Sequence, residues 1–209
     1  MKSLILFLLL LTTNSFAQDD EAGKILKEVS AKYKSFTSLK AEFNFLIENQ
    51  SQNTKDTQKG TLYVKGNNYK LEITGQEIMS DGKTIWTYLK DANELQINDA
   101  NAKDDAINPS TIFTLYEKGF QHKMAEAKTE SEKTVAVDLN PDDKTKPYYL
   151  VRLTIDKTNK TITGVKVFSK NGNRVTYTIL KLSPNIEMDN SLFAFDKSKH
   201  AGVEVIDLR

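Results

Sequence analysis

Cysteine is absent from the 209-residue sequence, and histidine occurs only twice, at His122 and His200. Without cysteine the chain has no disulfide, no thiol nucleophile and no cysteine-based zinc or iron–sulfur site. Two histidines are too few for an imidazole-rich metal site and leave little for acid–base catalysis. The composition therefore points away from an enzyme, and neither a cofactor nor a metal is expected.

Other shortages narrow the class of protein further. Lys and Arg total 29, Asp and Glu total 28, and the formal net charge is +1 with no basic block along the chain. A nucleic-acid-binding surface needs such a block, so no nucleic-acid partner is expected. The chain has only 9 Gly and 4 Pro, which argues against a disordered protein and favours a folded one.

The N-terminus has the pattern of a cleaved signal peptide. Lys2 provides a positive start, residues 4–11 form an unbroken apolar run, and Ser15 and Ala17 have the small-residue spacing of a cleavage site. The run is too short to span a membrane as a helix, and the alternative is a buried N-terminal core helix. We expect residues 1–17 to be removed and residues 18–209 to form a single domain, located in the periplasm if the cell has two membranes.

The rest of the chain begins with a helical period and continues with a strand period. Between Asp19 and Phe36 the apolar residues recur at steps of three and four, which predicts an amphipathic helix with acidic residues at its start. Its apolar stripe consists of Ile25, Leu26, Val29, Tyr33 and Phe36. From residue 41 onward apolar and polar residues alternate, as in antiparallel strands with one face away from water.

Turn residues divide the alternating part into about eleven strands. Asp81-Gly82 and Asn171-Gly172 each separate two alternating runs, which predicts two hairpins. Pro109 opens a short apolar run that ends before Gly119, which predicts a short helix. The pattern predicts an α+β protein with one curled antiparallel sheet and helices on one face.

The sequence contains no complete catalytic motif. Gly82-Lys83-Thr84 lacks the earlier glycine of a phosphate-binding loop and joins two strands, whereas that loop joins a strand to a helix. No G-x-S-x-G elbow accompanies the histidines, and His122 is expected to be a solvated strand residue. The pairs Asp104-Asp105 and Asp142-Asp143 lack the alternating ligands of a calcium loop. We therefore expect no catalytic residue.

The alternating aromatic residues allow two interpretations. They fill an ordinary core beneath the helices, or the sheet and helices enclose a cavity for an apolar ligand. Periodicity alone does not distinguish a filled interior from an open one. The residues concerned are Phe43, Phe45, Tyr69, Trp86 and Tyr88.

Three segments together resemble one known family. Residues 80–88, Ser-Asp-Gly-Lys-Thr-Ile-Trp-Thr-Tyr, are similar to the signature hairpin of the periplasmic outer-membrane lipoprotein carriers, the LolA-like proteins. Gly60–Lys65 is similar to the second strand of that family, and Leu192–Phe195 with Gly202–Asp207 resembles its closing segment. The resemblance implies an incomplete, half-open antiparallel β-barrel of about eleven strands with a helical lid on the concave side.

The resemblance also implies a function without covalent chemistry. Such a carrier binds the acyl chains of lipoproteins in an apolar cavity and ferries them from the inner to the outer membrane. Its partners would be acylated lipoproteins and an inner-membrane ATP-driven lipoprotein-releasing transporter, with an outer-membrane receptor left open; a monomer is expected. The residues expected to line the cavity are Phe43, Phe45, Leu62, Val64, Tyr69, Leu71, Ile73, Trp86, Tyr88, Ile112, Phe113 and Leu115.

The sequence departs from the family pattern at two places. Many relatives have Arg-Pro after the Val-Lys of the second strand, and that arginine holds the lid shut; here Gly66-Asn67 follows Lys65. The proline usual near the final Gly-Val is absent, with residues 197–200 in its place. An alternative function on the same half-barrel is a periplasmic lipid- or lipoprotein-sensing regulatory domain. An esterase would need a nucleophile that the sequence does not offer.

Overall fold

The structure, a computed structural model, describes residues 15–100, 112–126 and 131–209. Most of the described chain is β-strand, with one long helix, α1, at Ser15–Lys34. Short 3-10 turns occupy Leu115–Glu117, Asn190–Phe193 and Lys197–Lys199. The strands are β1 (Leu39–Asn49), β2 (Thr54–Lys65), β3 (Asn68–Ile73), β4 (Gln76–Ser80), β5 (Thr84–Leu89), β6 (Glu94–Asp99), β7 (Phe120–Met124), β8 (Thr134–Pro141), β9 (Tyr148–Asp156), β10 (Thr161–Ser169), β11 (Asn173–Pro184) and β12 (Glu204–Asp207).

All twelve strands belong to one unclosed sheet with the order β12-β6-β5-β4-β3-β2-β1-β11-β10-β9-β8-β7. Neighbouring strands are antiparallel except β12, which runs parallel to β6. The centre of the sheet is β1, which pairs over its whole length with both β2 and β11. This architecture confirms the predicted α+β half-barrel, with twelve strands where about eleven were expected.

Both predicted hairpins are confirmed. Gly82 and Gly172 adopt φ angles of +84° and +86°, a region that favours glycine, and they lie in the β4–β5 and β10–β11 turns. The Asp81 carboxylate accepts hydrogen bonds from the backbone N–H groups of Lys83 and Thr84, which closes the first turn. The chemistry of these turns is local, so the sequence was sufficient to locate them.

The long helix confirms the predicted stripe but not the predicted start. Leu26, Val29 and Tyr33 are buried, and Ile25 and Phe36 pack against them. The helix begins at Ser15, before Asp19, so no acidic residue lies in its first turn. Neither proline nor glycine separates Ser15 from Asp19, and nothing local forces a later start.

Two other expectations need correction or fall outside the described chain. Only Leu115–Glu117 of the predicted central helix is helical, as a single 3-10 turn, and residues 109–111 lie outside the described residues. His122 is partly buried instead of solvated. A Cβ added to Gly23 of α1 would lie 3.1 Å from its Nε2 atom, because the helix approaches β7 closely there.

Different parts of the chain cover the two faces of the sheet. We call the face against which α1 packs the inner face, and the opposite one the outer face. The main cluster lies between the inner face, α1 and residues 112–117, and it contains most of the buried apolar side chains. On the outer face, the 3-10 turn Asn190–Phe193 packs on β3 and β4. A second cluster lies on that face, formed by Met79, Tyr88, Leu95 and Val203 with Trp86, Ile97 and Phe195.

A glycine in β2 makes room for an aromatic ring of the main cluster. Gly60 pairs with Phe43, and a Cβ added to Gly60 would lie 2.4 Å from the Phe43 ring and 3.1 Å from the Glu72 carbonyl oxygen. We expect Gly60→Ala to lower the free energy of unfolding by about 1–3 kcal/mol, because the ring must leave its position. Urea denaturation measures the change. Gly164→Ala is the control, because this glycine also lies in a strand without a positive φ and an added Cβ comes no closer than 3.4 Å to Thr154.

Candidate functional site

The main cluster brings together ten of the twelve residues predicted to line a cavity. Four are buried strand residues of the inner face, three are partly buried strand residues beside them, and three come from residues 112–117 above the sheet. The ten are Phe43, Phe45, Leu62, Tyr69, Val64, Leu71, Ile73, Ile112, Phe113 and Leu115.

Trp86 and Tyr88 do not belong to this group. Their β4 partners are Met79 and Glu77, which point to the outer face, so both side chains join the second cluster. The inner-face positions of β5 are instead Ile85 and Thr87, opposite Ser80 and Ile78. Placing Trp86 and Tyr88 in the cavity was therefore wrong. The alternation of β5 was correctly identified, but its register relative to β3 assigns the aromatic residues to the other side.

The inner face is unevenly covered. In the half of the sheet that packs with α1, Val137, Val151 and Leu153 have no exposed surface. The partly buried apolar residues of that half include Phe120, Met124 and Val135, on β7 and β8 at the edge of the sheet. In the other half, four apolar side chains of β2–β4 remain partly exposed, and we call them the groove strip. They are Val64, Leu71, Ile73 and Ile78.

The groove strip is continuous across three strands. Leu71 of β3 pairs with Leu62 on one side and with Ile78 on the other, so apolar side chains follow each other across the sheet. Ile78 was missed by the sequence reasoning. Ile78 is identified by its pairing with Leu71. This pairing can be deduced from the sequence once the β3–β4 turn is placed at Thr74 and Gly75.

Residues 112–117 form a cover segment over the main cluster. The Phe113 ring stacks on Tyr33 of α1 with 4.9 Å between ring centroids. Glu117 accepts a hydrogen bond from Ser30 Oγ, and Lys34 Nζ lies 2.8 Å from its Oε2 atom. The segment is thus tied to α1 by one ring stack and one carboxylate.

Two phenols, of Tyr33 and Tyr116, lie within the main cluster. Tyr33 accepts a hydrogen bond from the backbone N–H of Ile162 at 3.1 Å, and burial raises its pKa to about 12. Burial also raises the pKa of Tyr116, whose hydroxyl has no hydrogen-bond partner among the described residues. Residues 15–100, 112–126 and 131–209 contain no group of three or more His, Asp or Glu residues placed to hold a metal ion. The arrangement can bury apolar groups.

Comparison with known families gives one decisive match. The family model described as "Outer membrane lipoprotein carrier protein LolA" matches residues 34–196, which is more than half of the chain. The chain belongs to the LolA family. The predicted resemblance is confirmed, and by its description the family is one of outer-membrane lipoprotein carriers. No curated protein matches the sequence.

Solved structures share the LolA-like fold at low sequence identity. An uncharacterized conserved protein from Thermus thermophilus superposes with a TM-score of 0.57 at 12% identity, covering 88% of this chain and 98% of its own. The lipoprotein LppX from Mycobacterium tuberculosis gives a TM-score of 0.52 at 10% identity, covering 84% of this chain and 100% of its own. These likenesses support the fold alone.

The end of β2 makes its side-chain contacts on the outer face of the sheet. Lys65 points to the outer face, where its Nζ donates to the Met188 carbonyl oxygen at 2.8 Å and to Asn190 at 3.0 Å. Gly66, which follows it, has a φ of +60° and completes the β2–β3 turn. The connection between cover and helix is made elsewhere, at Glu117. No helix within the described ranges is both long and apolar enough to cross a membrane.

The Glu117 contact predicts a pH dependence of stability. Hydrogen bonds from Lys34 and Ser30 hold the pKa of the Glu117 carboxyl below its usual value. A lowered pKa in the folded state stabilises the protein above the unfolded-state pKa, and this stabilisation is lost as the pH falls through the folded-state pKa. We expect Glu117→Gln to lower the free energy of unfolding by about 0.3–1 kcal/mol at pH 7 and by much less at pH 3.

Urea denaturation of the wild type and the variant at both pH values measures this difference. Glu132→Gln is the matched control, because Glu132 is exposed and forms no salt bridge with a described residue. An equal effect of Glu117→Gln at pH 3 and pH 7 would contradict a charge-based contact.

Proposed function

We propose that the protein is a periplasmic carrier that holds the acyl chains of lipoproteins against the groove strip on the inner face of the sheet. The observation that supports the proposal is the partly exposed apolar strip of a LolA-family chain, since Val137, Val151 and Leu153 in the half of the sheet that packs with α1 have no exposed surface. Burying apolar chain is favourable by about 0.8 kcal/mol per methylene, so such a strip offsets part of the cost of leaving a bilayer.

The cover segment supports a mechanism of loading by displacement. Ile112 and Leu115 pack against the main cluster while remaining partly exposed, and Phe113 is buried on Tyr33. An acyl chain that displaces Ile112 and Leu115 from the main cluster would replace their contacts with equivalent apolar contacts, so the exchange needs little net energy. Glu117 limits how far the segment moves, because its two partners both lie on α1.

The proposed cellular setting follows from the same family. Cleavage after Ala17 would release the carrier into the periplasm, where an inner-membrane ATP-driven transporter would deliver acylated lipoproteins and an outer-membrane receptor would accept them. No covalent step is needed, since burial alone shields the chains from water.

Binding of a synthetic dipalmitoylated lipopeptide tests the proposal. We expect the purified protein to keep one lipopeptide soluble per chain in the absence of detergent, as measured by gel filtration. Mass spectrometry should recover the lipopeptide with its mass unchanged. Failure to retain the lipopeptide would overturn the carrier function, and recovery of free palmitate would indicate a hydrolase instead.

A further inference from the structure

A second cavity lies on the outer face of the sheet, on the opposite side from the groove strip. Its volume is about 430 Å³, and it is bounded by β2–β4 on one side and by residues 186–200 on the other. Residues 186–200 are fixed to the sheet by the hydrogen bonds of Lys65 and by fully buried Phe193. The cavity is therefore a built feature between two packed layers.

The walls combine flexible apolar side chains with aromatic rings. Met79 and Met188 are both buried and line the cavity, as do Leu192 and Phe195. The Phe195 ring contacts the His200 ring with 4.4 Å between centroids, and His200 also lines the cavity. Methionine adapts to ligands of varied shape, and aromatic faces attract cations.

The cavity is lined by more carboxylate groups than ammonium groups. Its lining contains four carboxylates, on Glu77, Glu187, Asp189 and Asp196, and two ammonium groups, on Lys70 and Lys199.

Both lysines are already engaged. Lys70 Nζ lies 2.8 Å from Glu72 and 3.0 Å from Glu77, and Lys199 Nζ lies 3.1 Å from Asp196. Glu187 and Asp189 form no salt bridge with any residue in the described ranges. Backbone and side-chain hydrogen bonds from Ser191, together with the nearby Lys65 ammonium group, hold the pKa of the Asp189 carboxyl below its usual value.

We propose that this outer cavity binds an alkylammonium group, with its short apolar chain against Met79, Met188 and Leu192 and its cationic head beside Phe195 and the carboxylates of Glu187 and Asp189. Apolar walls, an aromatic face and two carboxylates without ion-pair partners among the described residues are complementary to that chemistry. The group belongs either to a small free amine or to the lysine side chain of a protein partner. The inference is independent of the proposed acyl-chain function, because the two sites lie on opposite faces.

Methionine methyl NMR tests the proposal with n-hexylammonium as the probe. Met79 and Met188 line the outer cavity, whereas Met124 packs against the main cluster and serves as an internal reference. We expect saturable shifts of the Met79 and Met188 methyl signals with little change at Met124. The affinity should fall about tenfold in Glu187→Gln/Asp189→Asn, in which the asparagine still accepts from Ser191 N.

The control variant is Glu132→Gln/Glu204→Gln, which removes two exposed carboxylates outside the cavity and should change the affinity less than twofold. Equal binding of hexylammonium and uncharged hexanol, shifts at Met124 alone, or equal affinities in both double variants would overturn the proposal. Nα-acetyl-lysine methylamide distinguishes the sources: binding as tight as hexylammonium assigns the site to a peptide lysine, and weaker binding assigns it to a free amine.

Discussion

Replacing Leu71 with glutamate should reduce lipopeptide affinity by about a hundredfold while leaving the fold intact. Leu71 lies at the centre of the groove strip, between Leu62 and Ile78, and it is partly exposed. A bound acyl chain would strip water from the new carboxylate without offering a hydrogen bond, and such a loss costs several kcal/mol. In the unliganded protein the same carboxylate keeps contact with water, so stability should change much less than affinity.

Leu180→Glu is the matched control for this prediction. It introduces the same charge at a leucine that is 57% exposed and outside the main cluster. Fluorescence titration with a dipalmitoylated lipopeptide should give an affinity within twofold of the wild type for this variant. Circular dichroism and urea denaturation verify that both variants fold. Wild-type affinity in Leu71→Glu would show that the chains bind elsewhere, whereas equal losses in both variants would indicate a non-specific charge effect.

Removing the Phe193 ring should destabilise the protein by about 3–5 kcal/mol, although the residue lies on the opposite side of the sheet from the groove strip. Phe193 is fully buried in the 3-10 turn that packs on the outer face of β3 and β4. Its truncation to alanine leaves a cavity that the surrounding sheet cannot close, because strand pairing fixes the backbone on that side. For a chain of this size, the expected decrease in Tm is about 10 °C.

Differential scanning calorimetry measures this loss, and Leu192→Ala provides the comparison. Leu192 precedes Phe193 in the same turn but is only partly buried, so its truncation should cost much less. Lipopeptide affinity of Phe193→Ala, measured well below its Tm, should match the wild type because the inner face is unchanged. A loss of less than about 1 kcal/mol would mean that the turn is not packed on the sheet in solution.

Local features of the sequence were sufficient for a large part of the fold. The stripe from Ile25 to Phe36 defined α1, and the turn pairs at Gly82 and Gly172 defined two hairpins, since helix periodicity and turn geometry depend on near neighbours. The hairpin at residues 80–88 also carried the family resemblance that the family model confirms. Ten of the twelve cavity residues that this resemblance implied lie in the main cluster.

Pairing between distant segments decided what the sequence left open. Residues 54–59 contain no apolar residue, yet they continue β2 because Lys55–Lys59 pairs with β1 along its length. Tyr149 and Val151 of β9 are two residues apart, so simple alternation would place both side chains on the same, buried face. Tyr149 is nevertheless 50% exposed, because an irregularity at this end of β9 changes the register with β10. Such bulges leave no clear mark in a run of alternating residues.

The sequence by itself determined that this protein has two-sided strands, one amphipathic helix and no thiol chemistry, because those properties follow from composition and short-range periodicity. Tertiary structure alone decided which side of each strand faces α1. It placed Leu71 in a partly open groove, moved Trp86 and Tyr88 to the outer face, and brought residues 186–200 over that face to form a second cavity. The physical reason is that alternation defines two faces per strand, whereas register and long-range packing determine which face each cluster occupies.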